Sequence, residues 1–210
     1  MIITDVRRTK RGRIAVEADG EYLTSVSEEV WILSGLFKGC DADADALNDL
    51  LRQNRVEEAK RHALNMLSAR SYTARQLTER LSRKSGQEAA EAAAGRMEEL
   101  GLLDDADYAR RFARELFENR RFAPRRIRLE LTRRGISSEF CEDAIAGLEL
   151  DTLPQHAAGL IEARFGTLDT PADLRRAAAL LERYGYPASI ARGVLQNARR
   201  GELSETEDNL

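Results

Sequence analysis

GLLDDADYARRFARELFENRRFAPRRIRLELTRRG, residues 101–135, is the stretch whose reading decides the fold. Ala109, Phe112, Ala113, Leu116 and Phe117 recur at spacings of three and four, which predicts an amphipathic helix from about residue 104. Asp104 suits the N-cap, and Asp105 and Asp107 suit the positive end of the helix. Pro124 suits the first position of a second helix, in which Ile127 and Leu131 face inward. Gly101 and Gly135 suit positions just past a helix end.

The same pattern recurs before and after this stretch, with a period of about 50 residues. Ala63, Ala113 and Ala163 correspond, as do Leu77, Ile127 and Ala177, and Leu81, Leu131 and Leu181. Arg83, Arg133 and Arg183 follow in register, then Ser85, Gly135 and Gly185. Three units of three helices are therefore expected. The first has helices at 55–69, 73–84 and 87–99, the second at 104–119, 124–134 and 138–147, and the third at 153–165, 171–184 and 187–198. Thr73 with Gln76 reads as a capping box, and Pro171 and Pro187 as helix starts. One such trio buries its apolar face poorly alone, so stacking is expected to build an elongated, curved array. Such a surface suits an extended partner, a filament or a nucleic acid, better than a small molecule.

Ahead of the helices, residues 2–7, 13–18 and 21–26 read as a three-stranded β-meander, with Asp19-Gly20 as the second hairpin turn. Ser27 caps a short helix containing Trp31, the only tryptophan, which is expected to anchor the core between sheet and helix. Arg7, Arg8, Lys10, Arg11 and Arg13 make a basic hairpin tip, either a solvated loop or a set of phosphate contacts. The acidic stretch CDADADALNDLLRQN leads into the repeats. The expected organisation is a mainly α chain: meander and linking helices at 1–54, repeats at 55–100, 101–150 and 151–199, and an acidic disordered tail at 200–210.

Composition narrows the function. Of 210 residues, 42% are hydrophobic and 33% charged, as in a globular protein with many solvated helix faces. The absence of a long apolar run or a leader makes a cytoplasmic location, with no membrane partner, the expectation. Cys40 and Cys141 have no metal-ligand spacing and read as core thiols. His62 and His156 stand alone, and no phosphate-binding glycine loop or paired-histidine zinc motif occurs. The Asp104–Asp107 cluster is explained by helix capping. An enzyme is thus disfavoured, and no cofactor or metal is expected.

The arginines are what the repeat leaves over. The net charge is −3, but the last ten residues hold four acids and no base, which leaves +1 for the remainder. Residues 120–134 hold seven arginines and one acid, Glu130. In the preceding helix Arg111 and Arg114 have acids four residues away. Arg120, Arg121 and Arg134 have few acids nearby, while Arg125 and Arg126 open the second helix and Arg133 closes it. A patch this dense repels itself, and a negatively charged partner relieves the repulsion. Arg83 and Lys84 extend it if they share its face. Direct nucleic-acid binding through this patch and the basic hairpin is one reading.

The sequence also resembles the RecX family of bacterial recombination regulators. The resemblance rests on ITDVRRTKRGRIAVEADGEYLTSVSEE, on AKRHALNMLSARSYTARQLTERL, and above all on GLLDDADYARRFARELFENRR followed by PRRIRLELTRRGI. Ser85 departs from it, standing where a glycine is expected after Arg83-Lys84. The resemblance implies a non-enzymatic, three-repeat modulator of the RecA recombinase that lies in the groove of the RecA–DNA filament. It further implies inhibition of filament extension, ATP hydrolysis, strand exchange and co-protease activity, and so a place in DNA repair, recombination and the SOS response. Arg120, Arg121, Arg125, Arg126, Arg133 and Arg134 are the expected main contacts, with Tyr108 as a packing residue and Arg83 and Lys84 alongside. A monomer is expected, with single- or double-stranded DNA as a further partner.

Overall fold

The computed structural model describes residues 1–200; the acidic tail expected from residue 200 falls, apart from that residue, outside the described residues. The chain divides into two compact units, Met1–Asp104 and Asp105–Leu210.

The first unit opens with three antiparallel strands in sequential order, β1 (Ile3–Arg8), β2 (Ile14–Ala18) and β3 (Glu21–Val26). Asp19 and Gly20 both take positive φ, 48° and 86°, as a two-residue hairpin turn with the twist of its strands requires. The outer edge of β1 is covered by the segment at 39–42: Ile3 donates to the Cys40 carbonyl at 3.0 Å, and Gly39 donates to that of Ile3 at 2.8 Å. Ser27 caps α1 (Glu28–Leu33), its hydroxyl accepting from the Val30 amide at 3.2 Å. Val30, 5% exposed, is the residue of α1 that enters the core. Trp31 is only half-buried against that core, so the expected tryptophan anchor is a peripheral contact.

Helix α2 (Ala44–Ala69) runs for 26 residues without a break, about 39 Å at 1.5 Å per residue. It crosses the boundary expected at residue 54. Asp43 caps it, accepting from the Ala46 amide at 2.8 Å, and neither glycine nor proline interrupts its length. Its first half gives Leu47 and Leu50 to the sheet core, and its second half gives Ala59 and Ala63 to a helical core. That second core is shared with α3 (Ala74–Ser85), through Leu77 and Leu81, and α4 (Gln87–Glu99), through Ala90, Ala94 and Met97. Thr73 caps α3, accepting from the Gln76 amide at 3.2 Å. The helix stop expected at position 85 falls one residue later, at Gly86 with φ 81°.

The second unit holds α5 (Asp105–Glu118), α6 (Pro124–Arg133), α7 (Ser138–Ala146), a 3-10 turn at Leu150–Thr152, then α8 (Leu153–Phe165), α9 (Pro171–Arg183) and α10 (Ala188–Arg200). Pro124 and Pro171 occupy first helical turns, and Gly135 and Gly185 take positive φ, 88° and 86°, after α6 and α9. A single apolar core joins all six helices, from Ala113, Phe117, Ile127 and Leu131 through Cys141 and Ile161 to Leu181 and Val194. Cys141 is fully buried, and burial pushes its thiol up; Cys40 is half-buried. No helix among the described residues is long and apolar enough to cross a membrane.

Candidate functional site

The link between α5 and α6 is where the second unit's chemistry converges. Arg121 takes the left-handed conformation, φ 51°, which few non-glycine residues adopt. The turn between α9 and α10 holds this link in place. Ala123 donates its amide to the Tyr184 carbonyl at 2.9 Å, and the Tyr186 hydroxyl donates to the Arg121 carbonyl at 2.7 Å. Burial pushes the Tyr186 phenol up, so the hydroxyl keeps the proton it donates. Phe122 meets the Tyr184 ring edge-on, centroids 5.1 Å apart. Gly185 lies so close to α6 that a Cβ there would sit 2.5 Å from the Arg126 amide nitrogen. Tyr184, Gly185 and Tyr186 were not among the expected site residues. Gly185 carried a signal as a helix stop, but nothing in the sequence marks the backbone it touches.

Beside this clamp lies a concavity of about 370 Å³ between α6 and α9. Arg125, Arg126 and Arg183 line it, with Leu129 and Ala179 as apolar surface and Glu182 beside them. Arg125 and Arg183 are exposed and make no ion pair among the described residues. Arg126 is more confined: its Nη2 meets a Glu130 carboxylate oxygen at 2.6 Å, while its Nε is buried with no hydrogen-bond partner among the described residues. Leu129 is 42% exposed. The arrangement offers cationic donors around a small apolar surface, which suits an acidic group carried next to an apolar one.

The expectation of an uncompensated seven-arginine patch is corrected. Arg126 and Arg133 share Glu130, the latter at 3.3 Å. Arg128 makes a two-pronged bond to Glu142 on α7, at 2.8 and 2.9 Å, which holds the Glu142 carboxyl below its ordinary value. Glu142 is 14 residues away, beyond the reach of a same-helix reading. Arg121 lies along α8, where its Nη1 fills the space over Gly159; a Cβ on that glycine would come within 2.4 Å of it. Burial and, secondly, the Arg121 guanidinium push the His156 imidazole down, so it stays neutral near pH 7. Arg120 is exposed, with no ion pair among the described residues.

Arg134 and Tyr108 form an internal clamp between α6 and α5. The Arg134 guanidinium lies 4.1 Å over the Phe112 ring, and its Nη1 donates to the Tyr108 hydroxyl at 3.1 Å. Stacking and hydrogen bond together account for about 1–2 kcal/mol. Arg134→Ala should therefore lower the urea midpoint of unfolding without altering its slope. A midpoint equal to that of the parent protein would mean that the clamp contributes nothing to the fold. Arg83 and Lys84 belong to the first unit, in the last turn of α3; Lys84 lines a separate concavity there with Arg55, Arg61 and His62. Among the described residues no three histidine, cysteine, aspartate or glutamate side chains converge as metal ligands. The aspartates at the head of α5 are tied up locally, Asp107 with Arg111 at 2.7 Å and Arg110 at 3.7 Å.

Residues 104–145, helices α5 to α7, match the family model described as RecX, second three-helix domain. The regulatory protein RecX of Streptomyces coelicolor is 31% identical over 156 residues, which cover 72% of this chain and 83% of that protein. The chain belongs to the RecX family. RecX of Thermus thermophilus is 33% identical over 134 residues, covering 64% of this chain and 87% of its own length. A crystal structure of a regulatory protein RecX shares the fold, with a TM-score of 0.73 at 22% identity across 93% of this chain and 98% of that one. The family match spans the whole arginine-rich stretch from Arg120 to Arg134 together with Glu142, and α9 adds Arg183 from beyond it.

Proposed function

We propose that this RecX-family protein is a non-catalytic modulator of the RecA recombinase. It binds in the groove of the RecA–DNA filament and inhibits its extension, and with it ATP hydrolysis, strand exchange and co-protease activity. The observation that carries the contact surface is the α6–α9 concavity, with Arg125, Arg126 and Arg183 set around Leu129. Guanidinium groups recognise carboxylate or phosphate through paired, planar hydrogen bonds. The apolar surface of Leu129 and Ala179 beside them favours a protein segment that carries an acidic group next to an apolar one over a nucleic-acid backbone. Arg120 and Arg133, both exposed, extend the cationic rim; Arg121, Arg134 and Tyr108 support it from within the fold. Arg83 and Lys84 supply a further basic turn from the first unit.

The test is RecA-catalysed ATP hydrolysis on single-stranded DNA, with this protein added at a sub-stoichiometric ratio. A progressive fall in rate is expected as filament growth stops. A rate unchanged at every ratio up to equimolar would overturn the proposal. Direct DNA binding through the same concavity is the second reading. It predicts tight binding to DNA without RecA, lost on substitution of Arg125 and Arg183 and steeply weakened by salt.

A further inference from the structure

We infer that the tip of the first hairpin, together with the exposed face of β3, is a binding site for single-stranded nucleic acid. This does not rest on the RecA reading and lies in the other unit.

The five basic residues of the hairpin are not equivalent in the folded chain. Arg7 pairs with Glu17 at 2.9 Å, and Arg8 pairs with Glu28. Arg13 is an anchor: its guanidinium bonds the Ser25 carbonyl, Asn54 Oδ1 at 3.0 Å and Glu58 Oε1 at 2.8 Å. Asn54 is itself buried, so the anchor ties the sheet to the middle of α2. What remains is Lys10 and Arg11, exposed at the turn, with no ion pair among the described residues. The turn that presents them is stiff. Thr9 donates to the Arg13 carbonyl at 2.7 Å, Gly12 donates to that of Thr9 at 2.9 Å, and the Thr9 hydroxyl accepts from the Arg13 amide at 3.1 Å.

These two cations open onto a concavity of about 670 Å³ shared with Arg13, Tyr22, Thr24 and Glu58. Tyr22 is 62% exposed, an unusual position for a large aromatic that no neighbouring ring covers among the described residues. Glu58 is the one opposing carboxylate lining this space, and Arg13 neutralises it. A pair of exposed cations on a hydrogen-bonded turn, beside an uncovered aromatic face, is the combination that holds single strands. The cations take the phosphates, and the ring stacks on a base that is not already stacked in a duplex. The uncovered ring is what favours single strands over duplex or over an acidic protein surface, since neither of those offers it a free base.

The full-length protein, without RecA, is titrated into fluorescein-labelled oligothymidylate of about 15 nucleotides and its RNA counterpart, read by anisotropy. Binding of either is expected. Lys10→Glu with Arg11→Glu should weaken it at least about tenfold and reduce the salt slope by about 1.4, or 0.7 for each single-strand phosphate contact. Tyr22→Ala should weaken it roughly fivefold or more, while Tyr22→Phe, which keeps the stacking face, should bind like the parent. All three positions are exposed, so an unchanged circular-dichroism melt is the expected control for folding. The inference is overturned if the doubly reversed chain binds as the parent does, or if Tyr22→Ala binds like Tyr22→Phe. It is also overturned if the parent protein prefers a duplex of the same length.

Discussion

Gly185→Ala is expected to destabilise the second unit by roughly 3 kcal/mol or more. Two costs add. The backbone at this position has φ 86°, where an L-residue pays about 1–2 kcal/mol. The new Cβ would also lie 2.5 Å from the Arg126 amide nitrogen and 3.2 Å from its Cα, which are backbone atoms at the head of a helix and cannot swing aside. Relief requires α9 and its following turn to move off α6, loosening the bond from Ala123 to the Tyr184 carbonyl. Gly166, in the same unit, is the comparison: its φ is 64°, but no atom lies within 4 Å of where its Cβ would be, so Gly166→Ala should carry only the backbone cost. For a unit of about 100 residues, 3 kcal/mol corresponds to a fall in melting temperature on the order of 12–24 °C. Thermal circular dichroism of both variants measures the difference. Equal melting points would show that the α9–α10 turn gives way freely and does not hold the concavity in shape.

Reversing the two free cations of that concavity is expected to have the largest functional effect. Arg125→Glu with Arg183→Glu should raise the concentration needed to halve RecA ATP hydrolysis by at least about tenfold, equivalent to 1.4 kcal/mol. Both side chains are exposed and without ion pairs among the described residues, so their loss removes no internal contact of consequence. Arg126 is a poorer choice, since it also pairs with Glu130 and packs over Phe122, with its guanidinium carbon 5.4 Å from the ring centroid. Arg128→Gln is the internal control: the arginine's charge is already met by Glu142, so neutralising it should change inhibition little. If the double reversal inhibits as well as the parent while keeping its helical signal, the contact surface lies elsewhere.

Much of the fold was legible because its signals are local. Asp19-Gly20, Ser27, Thr73, Pro124 and Gly135 each fix a turn, a cap or a stop through their own backbone and near neighbours. The break placed at residue 54 has no glycine, proline or cap behind it, and α2 runs straight through. The site was less legible because its geometry is made by residues far apart in sequence. Arg183 reaches the surface of Arg125 across 58 positions, Tyr108 meets Arg134 across 26, and Tyr186 meets Arg121 across 65. Charge density in one segment could not say which arginines were already occupied. Glu142 and the bare flank of α8 at Gly159 decide that for Arg128 and Arg121.

The continuous core of the second unit has a consequence for how a bound partner is felt. Because Leu131 on α6 and Val194 on α10 belong to one apolar cluster, the six helices are expected to open as a single cooperative block rather than trio by trio. A ligand gripping only the α6–α9 face then adds its binding free energy to the opening cost of every amide in that block, about 2.7 kcal/mol at a hundredfold excess over its dissociation constant. Slowed hydrogen exchange at α10, far along the chain from the contact, is how occupancy of that face registers throughout the unit.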